Sequence, residues 1–327
     1  MPEPSRHFTF ALMRDFTLVS FACAVDTLRL ANHMAEAAPY SWDVVGEGGG
    51  AARSSSGVEV ALDGPLGELR RDAVLVVVGG TDIRAATSRP LLSWLRREAR
   101  RGGPVAGLCT AAWPMAEAGL IDGRRATIHW ENADGFAEAF PDVDLTGGIY
   151  TIDGRWMTTA GGTASVDLFL KLISDDMGEG FATAVADQLI YSSIRTDRDS
   201  QRLSIPTRIG VRHPRLGTVI RAMEENIEEP VSPAILAERV GMSTRQLERL
   251  FRRYLNRSPK RYYMELRLAR ARNLLMQTDL SIIEVALACG FTSPSHFSKC
   301  YRAQYGTTPY RERGTRQTPG EERPTRP

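Results

Sequence analysis

The sequence predicts an α/β domain, a parallel sheet with helices on both faces, followed by an all-α domain built from a repeated two-helix unit. Three observations predict it. First, the 327 residues correspond to about two domains at ~100–200 residues each. Second, the first two-thirds of the chain alternates short apolar runs with stretches of helical spacing. Third, the last third matches itself when shifted by fifty positions.

In the first part, Phe8–Met13, Trp42–Val45, Ala73–Val78 and Pro104–Leu108 read as short buried strands, being apolar on both sides as a covered parallel sheet requires. The segments Leu18–Ala35, Pro90–Arg101 and Thr110–Ala118 have helical spacing. A strand pair near Ile149–Thr159, a helix from about Thr163 to Ile173 and another across Phe181–Tyr191 complete the domain. The stretch Thr196–Pro214, TDRDSQRLSIPTRIGVRHP, is polar and proline-punctuated and reads as a linker. The expected organisation is therefore residues 1–195, a linker at 196–214, a helical domain at 215–315 and a disordered tail at 316–327.

Composition sets the class. Hydrophobic residues are 43% and charged residues 24% of the chain, a globular balance. No apolar run approaches the ~20 residues of a membrane helix, and MPEPSRHFTF lacks the layout of a secretory signal. A cytoplasmic protein without a membrane partner is expected. Cys23, Cys109, Cys289 and Cys300 show no CxxC pairing, which argues against a structural zinc site or a disulfide framework. No metal and no cofactor are expected.

Charge divides the chain. Residues 1–210 hold 20 Lys and Arg against 27 Asp and Glu, a net of −7, whereas residues 211–327 hold 21 against 12, a net of +9. The basic third is a candidate polyanion binder, although a positive surface can also serve solubility alone.

The shift of fifty pairs Ser243 with Ser293, Leu247 with Phe297, Phe251 with Tyr301, Leu255 with Tyr305, Ser258 with Thr308 and Pro259 with Pro309. In each copy a helix (Pro233–Val240; Ile282–Cys289) ends at a glycine, Gly241 or Gly290, and a second helix begins at a Ser that can cap it. That is helix-turn-helix punctuation. Leu247, Leu250 and Phe251, then Phe297, Cys300 and Tyr301, form inward stripes. Arg245, Gln246, Glu248 and Arg249, then Ser295, His296, Lys299 and Arg302, face out with the donors and acceptors that base edges and phosphates require. Arg252 and Arg253 face the groove margin, where phosphate contact is expected. A connecting helix over Pro259–Gln277, ~28 Å long at ~1.5 Å per residue, can set two such helices into adjacent major grooves ~34 Å apart. An ordinary helical bundle with basic faces is the alternative.

Gly241–Pro259 together with Ser281–Tyr310, including ALACGFTSPSHFSKCYRAQYGTTPYRER, resembles the DNA-binding domain of AraC/XylS transcription regulators. The resemblance implies a double-stranded DNA operator as partner, with Arg245, Glu248 and Arg249 on the first recognition helix and Ser295, His296 and Lys299 on the second. Pro294 departs from the polar residue expected of that family, suits a helix N-terminus and removes one base contact.

In the acidic part, Val105-Ala-Gly-Leu-Cys-Thr-Ala-Ala112 runs from strand directly into helix with Cys109 at the junction. Helix N–H groups there are expected to lower the thiol pKa and, across Cys109, Thr110 and Ala111, to accept an anion. His129, in ATIHWEN, is the candidate base. A buried structural cysteine and histidine are the alternative reading.

The elbow AGLCTAAWPMAEAGLIDGRRATIHW and the later TTAGGTASVDLFLKLI resemble, over residues 7–190, PfpI-like domains of the class I glutamine amidotransferase-like superfamily. The resemblance implies a flavodoxin-like sheet. With the AraC-like half, the whole chain resembles GlxA-type regulators, which use this enzyme-like fold to sense a small molecule. Active enzymes of the superfamily place an acid near the elbow cysteine; in VSFACAVDTLRLAN that position is Ser20, and the nearest acid is Asp26. The departure favours binding over catalysis.

Trp113, Trp130, Phe16 and Phe21 are candidates to line the pocket, where aromatic faces can hold a quaternary ammonium; the alternative is that they are core. LIYSSIRTDRDSQRLSIPTRIGVRHP further resembles the GlxA-type subgroup that controls glycine betaine, carnitine or arginine catabolism, which implies a betaine-like or amino-acid zwitterion as effector. The expected function is a metabolite-responsive, homodimeric transcription regulator with RNA polymerase as a candidate partner. A Cys-dependent hydrolase or amidase, or a redox sensor, fused to a DNA-binding domain is the competing reading.

Overall fold

The computed structural model describes residues 6–210 and 213–314; the tail expected at 316–327 lies outside the described residues. The chain divides into two compact units between Gln201 and Arg202.

In the first unit, β1 (Arg6–Leu12) leads through α1 (Leu18–Met34) to β2 (Tyr40–Gly46). A hairpin of β3 (Ala51–Arg53) and β4 (Glu59–Ala61) and the short β5 (Gly64–Pro65) precede β6 (Val74–Val78). Next come α2 (Ile83–Ala86), α3 (Arg89–Ala99), β7 (Val105–Leu108), α4 (Ala112–Glu117), β8 (Arg125–Ala126), α5 (Ala133–Ala139) and β9 (Asp144–Leu145). The unit closes with β10 (Tyr150–Asp153), β11 (Trp156–Thr159), α6 (Ala164–Met177) and α7 (Glu179–Gln188). Seven strands form the main sheet in the order β10-β11-β7-β6-β1-β2-β5. Its pairings are parallel except that of β10 with β11.

The strands alternate as a two-sided sheet must. Phe8, Phe10 and Leu12 of β1, with Val74, Val76 and Val78 of β6, enter one core, where Phe169 of α6 and Phe21 of α1 meet them. Ala11, Leu75 and Val77 enter the opposite core with Leu95 of α3 and Trp113 of α4. The fold is the flavodoxin-like α/β arrangement expected, and the four short apolar runs become β1, β2, β6 and β7. Strands β3, β4, β5 and β9, two or three residues each, were not foreseen, being too short to show a period.

The second unit is helical: α8 (Ile205–Arg208), α9 (Pro214–Glu225), α10 (Pro233–Glu238), α11 (Thr244–Leu255), α12 (Pro259–Gln277), α13 (Ile282–Ala288), α14 (Pro294–Tyr305) and α15 (Pro309–Gly314). Each copy of the repeat has its own core. Leu236, Leu247, Leu250 and Phe251 pack with the first half of α12 through Tyr263; Val285, Phe297 and Tyr301 pack with its second half through Leu268, Leu274 and Leu275. The 19 residues of α12 thus serve both cores, giving a spacer ~28 Å long.

The stretch read as a linker carries docking contacts. Gln201 bonds to residues of the first unit, and Ile205 is buried in the core of the second. Polar side chains and backbone groups make most of these contacts, which composition cannot distinguish from solvent exposure.

Candidate functional site

Cys109 follows β7 with a φ of 64°, a left-handed conformation that is costly for a residue with a Cβ. The thiol is buried and accepts a hydrogen bond from the Thr17 hydroxyl at 3.3 Å. The loop after β11 closes over it. A Cβ on Gly161 would lie 2.5 Å from the Cys109 Cβ and 2.9 Å from Sγ, so only glycine permits this approach. Beside it the N–H of Gly162 donates to the Ser20 hydroxyl at 2.7 Å. Ser20 is fully buried, whereas Asp26 lies on the exposed side of α1 and pairs with Arg29 at 2.6 Å.

Electrostatics overturn the expectation of an acidified thiol. Burial raises the Cys109 pKa; hydrogen bonds from Thr17 and Thr110 offset this only in part, and Glu131 pushes it further up. The following helix is also shorter than expected, six residues from Ala112. The Ala111 N–H is bonded to the Leu108 carbonyl at 3.2 Å and the Trp113 N–H to the Thr110 carbonyl at 3.0 Å. The Thr110 hydroxyl donates to the Gly80 carbonyl at 2.8 Å. Of the N–H groups expected to accept an anion across Cys109, Thr110 and Ala111, that of Ala111 is thus already bonded within the turn.

His129 meets the elbow through backbone: its N–H donates to the Cys109 carbonyl at 3.2 Å. Its imidazole Nδ1 accepts from the Glu131 N–H at 3.4 Å, and burial pulls its pKa down while Glu131 opposes. Trp130 stands beside it, rings 5.7 Å apart and 40% exposed. The other three aromatics are corrected to core. Phe16 and Phe21 pack edge to face at 5.9 Å, and Trp113 packs on Phe136 and Phe140 at 6.1 and 5.0 Å while its Nε1 donates to Glu117. Each is under 10% exposed, its faces taken by neighbouring side chains.

Sequence reasoning missed Thr17, which supplies the thiol's hydroxyl partner, and the role of Gly161. The Gly161-Gly162 pair after a strand was the available signal.

The helical unit presents its expected faces. Gly241 and Gly290, with φ of 63° and 72°, end the first helix of each copy, and Ser243 and Ser293 cap α11 and α14. Arg245, Gln246, Glu248, Arg249, Arg252 and Arg253 on α11 and Ser295, His296, Lys299 and Arg302 on α14 are all exposed. Two of them have local duties. Gln246 Oε1 accepts from the Ser243 N–H at 2.8 Å in a capping box, which removes its acceptor from base readout. His296 Nε2 lies 3.4 Å from the Cys300 sulfur, one turn along the helix. Arg267, which the sequence did not single out, fixes the second turn: its Nε and Nη2 donate to the carbonyls of Cys289 and Gly290 at 2.7 and 2.6 Å, with its guanidinium over Phe291.

Among the described residues no cluster of three or more His, Cys, Asp or Glu is placed to hold a metal, and no helix is long and apolar enough to cross a membrane.

A flavodoxin-like unit joined to two capped helix-turn-helix units with exposed basic second helices defines a helix-turn-helix transcription regulator. Residues 10–175 match the DJ-1/PfpI family, and residues 236–314 match the helix-turn-helix domain family. The chain is 44% identical over 309 residues to the HTH-type transcriptional regulator CdhR of Pseudomonas aeruginosa, covering 94% of this chain and 92% of that protein. It is 37% identical to the HTH-type transcriptional regulator GlxA of Rhizobium meliloti, covering 92% of this chain and 93% of that one. The crystal structure of an AraC family transcriptional regulator from Pseudomonas putida superposes with a TM-score of 0.51 at 27% identity, over 56% of this chain and 99% of its own. The chain belongs to the family of transcriptional regulators that join a DJ-1/PfpI domain to an AraC-type helix-turn-helix domain.

Proposed function

We propose that the DJ-1/PfpI unit of this regulator is a non-catalytic sensor of a small cationic or zwitterionic metabolite, and that occupancy of the Cys109 site alters DNA binding by α11 and α14. The observation that carries this reading is the state of Cys109: a buried thiol whose pKa is raised and whose hydrogen-bond partner is a hydroxyl, beside Ser20 where active enzymes of the superfamily carry an acid. A nucleophile or redox thiol needs the opposite electrostatics. At the exposed edge, the Trp130 face and the Glu131 carboxylate suit a quaternary ammonium or guanidinium. With the resemblance to regulators of glycine betaine, carnitine or arginine catabolism, these compounds form the effector class. The regulator acts as a homodimer on a double-stranded operator, Arg249 and Lys299 reading bases and Arg252, Arg253 and Arg302 holding phosphates, with RNA polymerase as its further partner.

Cys109→Ser separates sensing from chemistry. The folded state, DNA affinity and effector response should persist with a modest change in effector affinity, read by thermal shift and DNA titration. Complete loss of response with the fold intact means that covalent chemistry is required. In the wild type, an effector at ~100 times its Kd should add about 2.7 kcal/mol of stability.

Trp130→Ala tests the cation. It should weaken a quaternary-ammonium compound by ~0.5–2 kcal/mol and leave a neutral isostere unaffected. Equal weakening of both in calorimetric titration would assign Trp130 to packing.

A further inference from the structure

Both walls of the Cys109 site lead into one short stretch of chain. From the wall formed by 161–163, the Thr163 hydroxyl accepts from Arg195 Nη2 at 2.9 Å. One turn along α6, the fully buried Asp167 carboxylate accepts from Arg195 Nε and Nη2 at 3.0 and 2.7 Å and from its backbone N–H at 2.8 Å. The opposite wall, 127–129, is held by Gln201, whose Nε2 donates to the Thr127 hydroxyl at 2.9 Å and to the carbonyls of Ile128 and Gly148 at 3.0 Å. Between these anchors the Ile149 N–H donates to the Asp199 carbonyl at 3.1 Å, and a Cβ on Gly148 would overlap the Asp197 carbonyl oxygen.

A tether that only joined two domains would need none of this. A buried carboxylate is tolerated while its guanidinium partner stays in place, so the position of Arg195 and that of the 161–163 loop are energetically linked. Gln201 ties the same segment to residues 127–128 through hydrogen bonds. The next residue, Arg202, belongs to the helical unit, where it and Arg208 pair with Glu224 at 3.8 and 2.9 Å.

We infer that residues 195–201 are the coupling element of the sensor: rearrangement of the two walls on effector binding loosens or tightens this segment, which passes the change to the DNA-binding unit through Arg202. The inference rests on the sensor reading above and adds to it the route of regulation. Thermodynamic coupling is reciprocal, so loosening the segment must also loosen the walls, with or without an effector.

The test uses the full-length chain in three variants. Gln201→Ala deletes one anchor without adding atoms, Gly148→Ala pushes on the segment, and Gly147→Ala, whose Cβ meets nothing within 4 Å, is the matched control. Amide exchange at 127–129 and 161–163 without added compound should rise about fivefold or more in Gln201→Ala and Gly148→Ala and stay at wild-type rates in Gly147→Ala. Unchanged exchange at both walls in Gln201→Ala overturns the inference. Glycine betaine, carnitine and L-arginine are then added, and affinity is measured for a duplex selected by the wild type from a random pool. A compound that raises Tm in both wild type and Gln201→Ala, yet shifts duplex affinity in the wild type alone, supports the coupling; an equal affinity shift in both overturns it. A wild type whose Tm none of the three compounds raises refutes the effector class and leaves the exchange result to decide the coupling.

Discussion

Replacing Gly80 with alanine should lower the melting temperature of the first unit by roughly 6–12 °C, the equivalent of about 3 kcal/mol in a domain of this size. Gly80 is where the turn after β6 touches the turn between β1 and α1. A Cβ there would overlap the Asp15 carbonyl oxygen and sit 2.7 Å from the Phe16 Cα. Both are backbone atoms, and neither can move freely. The Thr81 N–H is bonded to that carbonyl at 3.2 Å, the Thr17 N–H to the Gly79 carbonyl at 2.9 Å, and the Thr110 hydroxyl to the Gly80 carbonyl. The same crossing holds Thr17 against Cys109, so strain at Gly80 also bears on the thiol's hydrogen bond. Gly180→Ala, in α7 with nothing within 4 Å of its Cβ, is the comparison and should leave Tm unchanged or slightly raised. A Gly80→Ala chain melting with the wild type in calorimetry would mean that the two turns do not meet.

Arg249→Ala and Lys299→Ala should each cost ~1–3 kcal/mol of specific DNA affinity, about 5- to 150-fold, if each guanidinium or ammonium meets a base edge. They stand fifty residues apart at equivalent positions of α11 and α14, both exposed. Because each helix has its own core, the two losses should add within about 0.5 kcal/mol in the double variant. Arg252→Ala should weaken operator and random duplexes alike and reduce the salt slope by ~1. Gln246→Ala should act mainly on stability, since its carboxamide closes the cap of α11. Equal loss on selected and random DNA for Lys299→Ala would reassign that residue to the phosphate backbone.

Local features were legible in the sequence. The run Val74–Val78 can only be a strand covered on both faces, and all five of its residues are buried. Glycine, serine and an apolar stripe at helical spacing marked each second helix of the repeat, and the caps at Ser243 and Ser293 form as expected. The role of each aromatic was not legible. Trp113 and Trp130 both stand near the elbow in sequence, yet one is 3% exposed and the other 40%. What separates them is the packing of Phe136 and Phe140 on Trp113, which neither residue type nor spacing encodes.

By itself the sequence determined the fold class, the two-part organisation, the repeated helix-turn-helix units and their exposed basic faces. Each follows from periods and caps that act within one or two turns of chain. Tertiary structure alone decided the protonation tendency of Cys109 and the anchoring of the stretch that had read as a linker. Those depend on contacts between distant residues: Thr17 with Cys109 across 92 positions, Ser20 with Gly162 across 142, and Gln201 with Thr127 across 74. The sign of a pKa shift is set by burial against the hydrogen bonds that survive it, and only the folded chain brings both to the same atom.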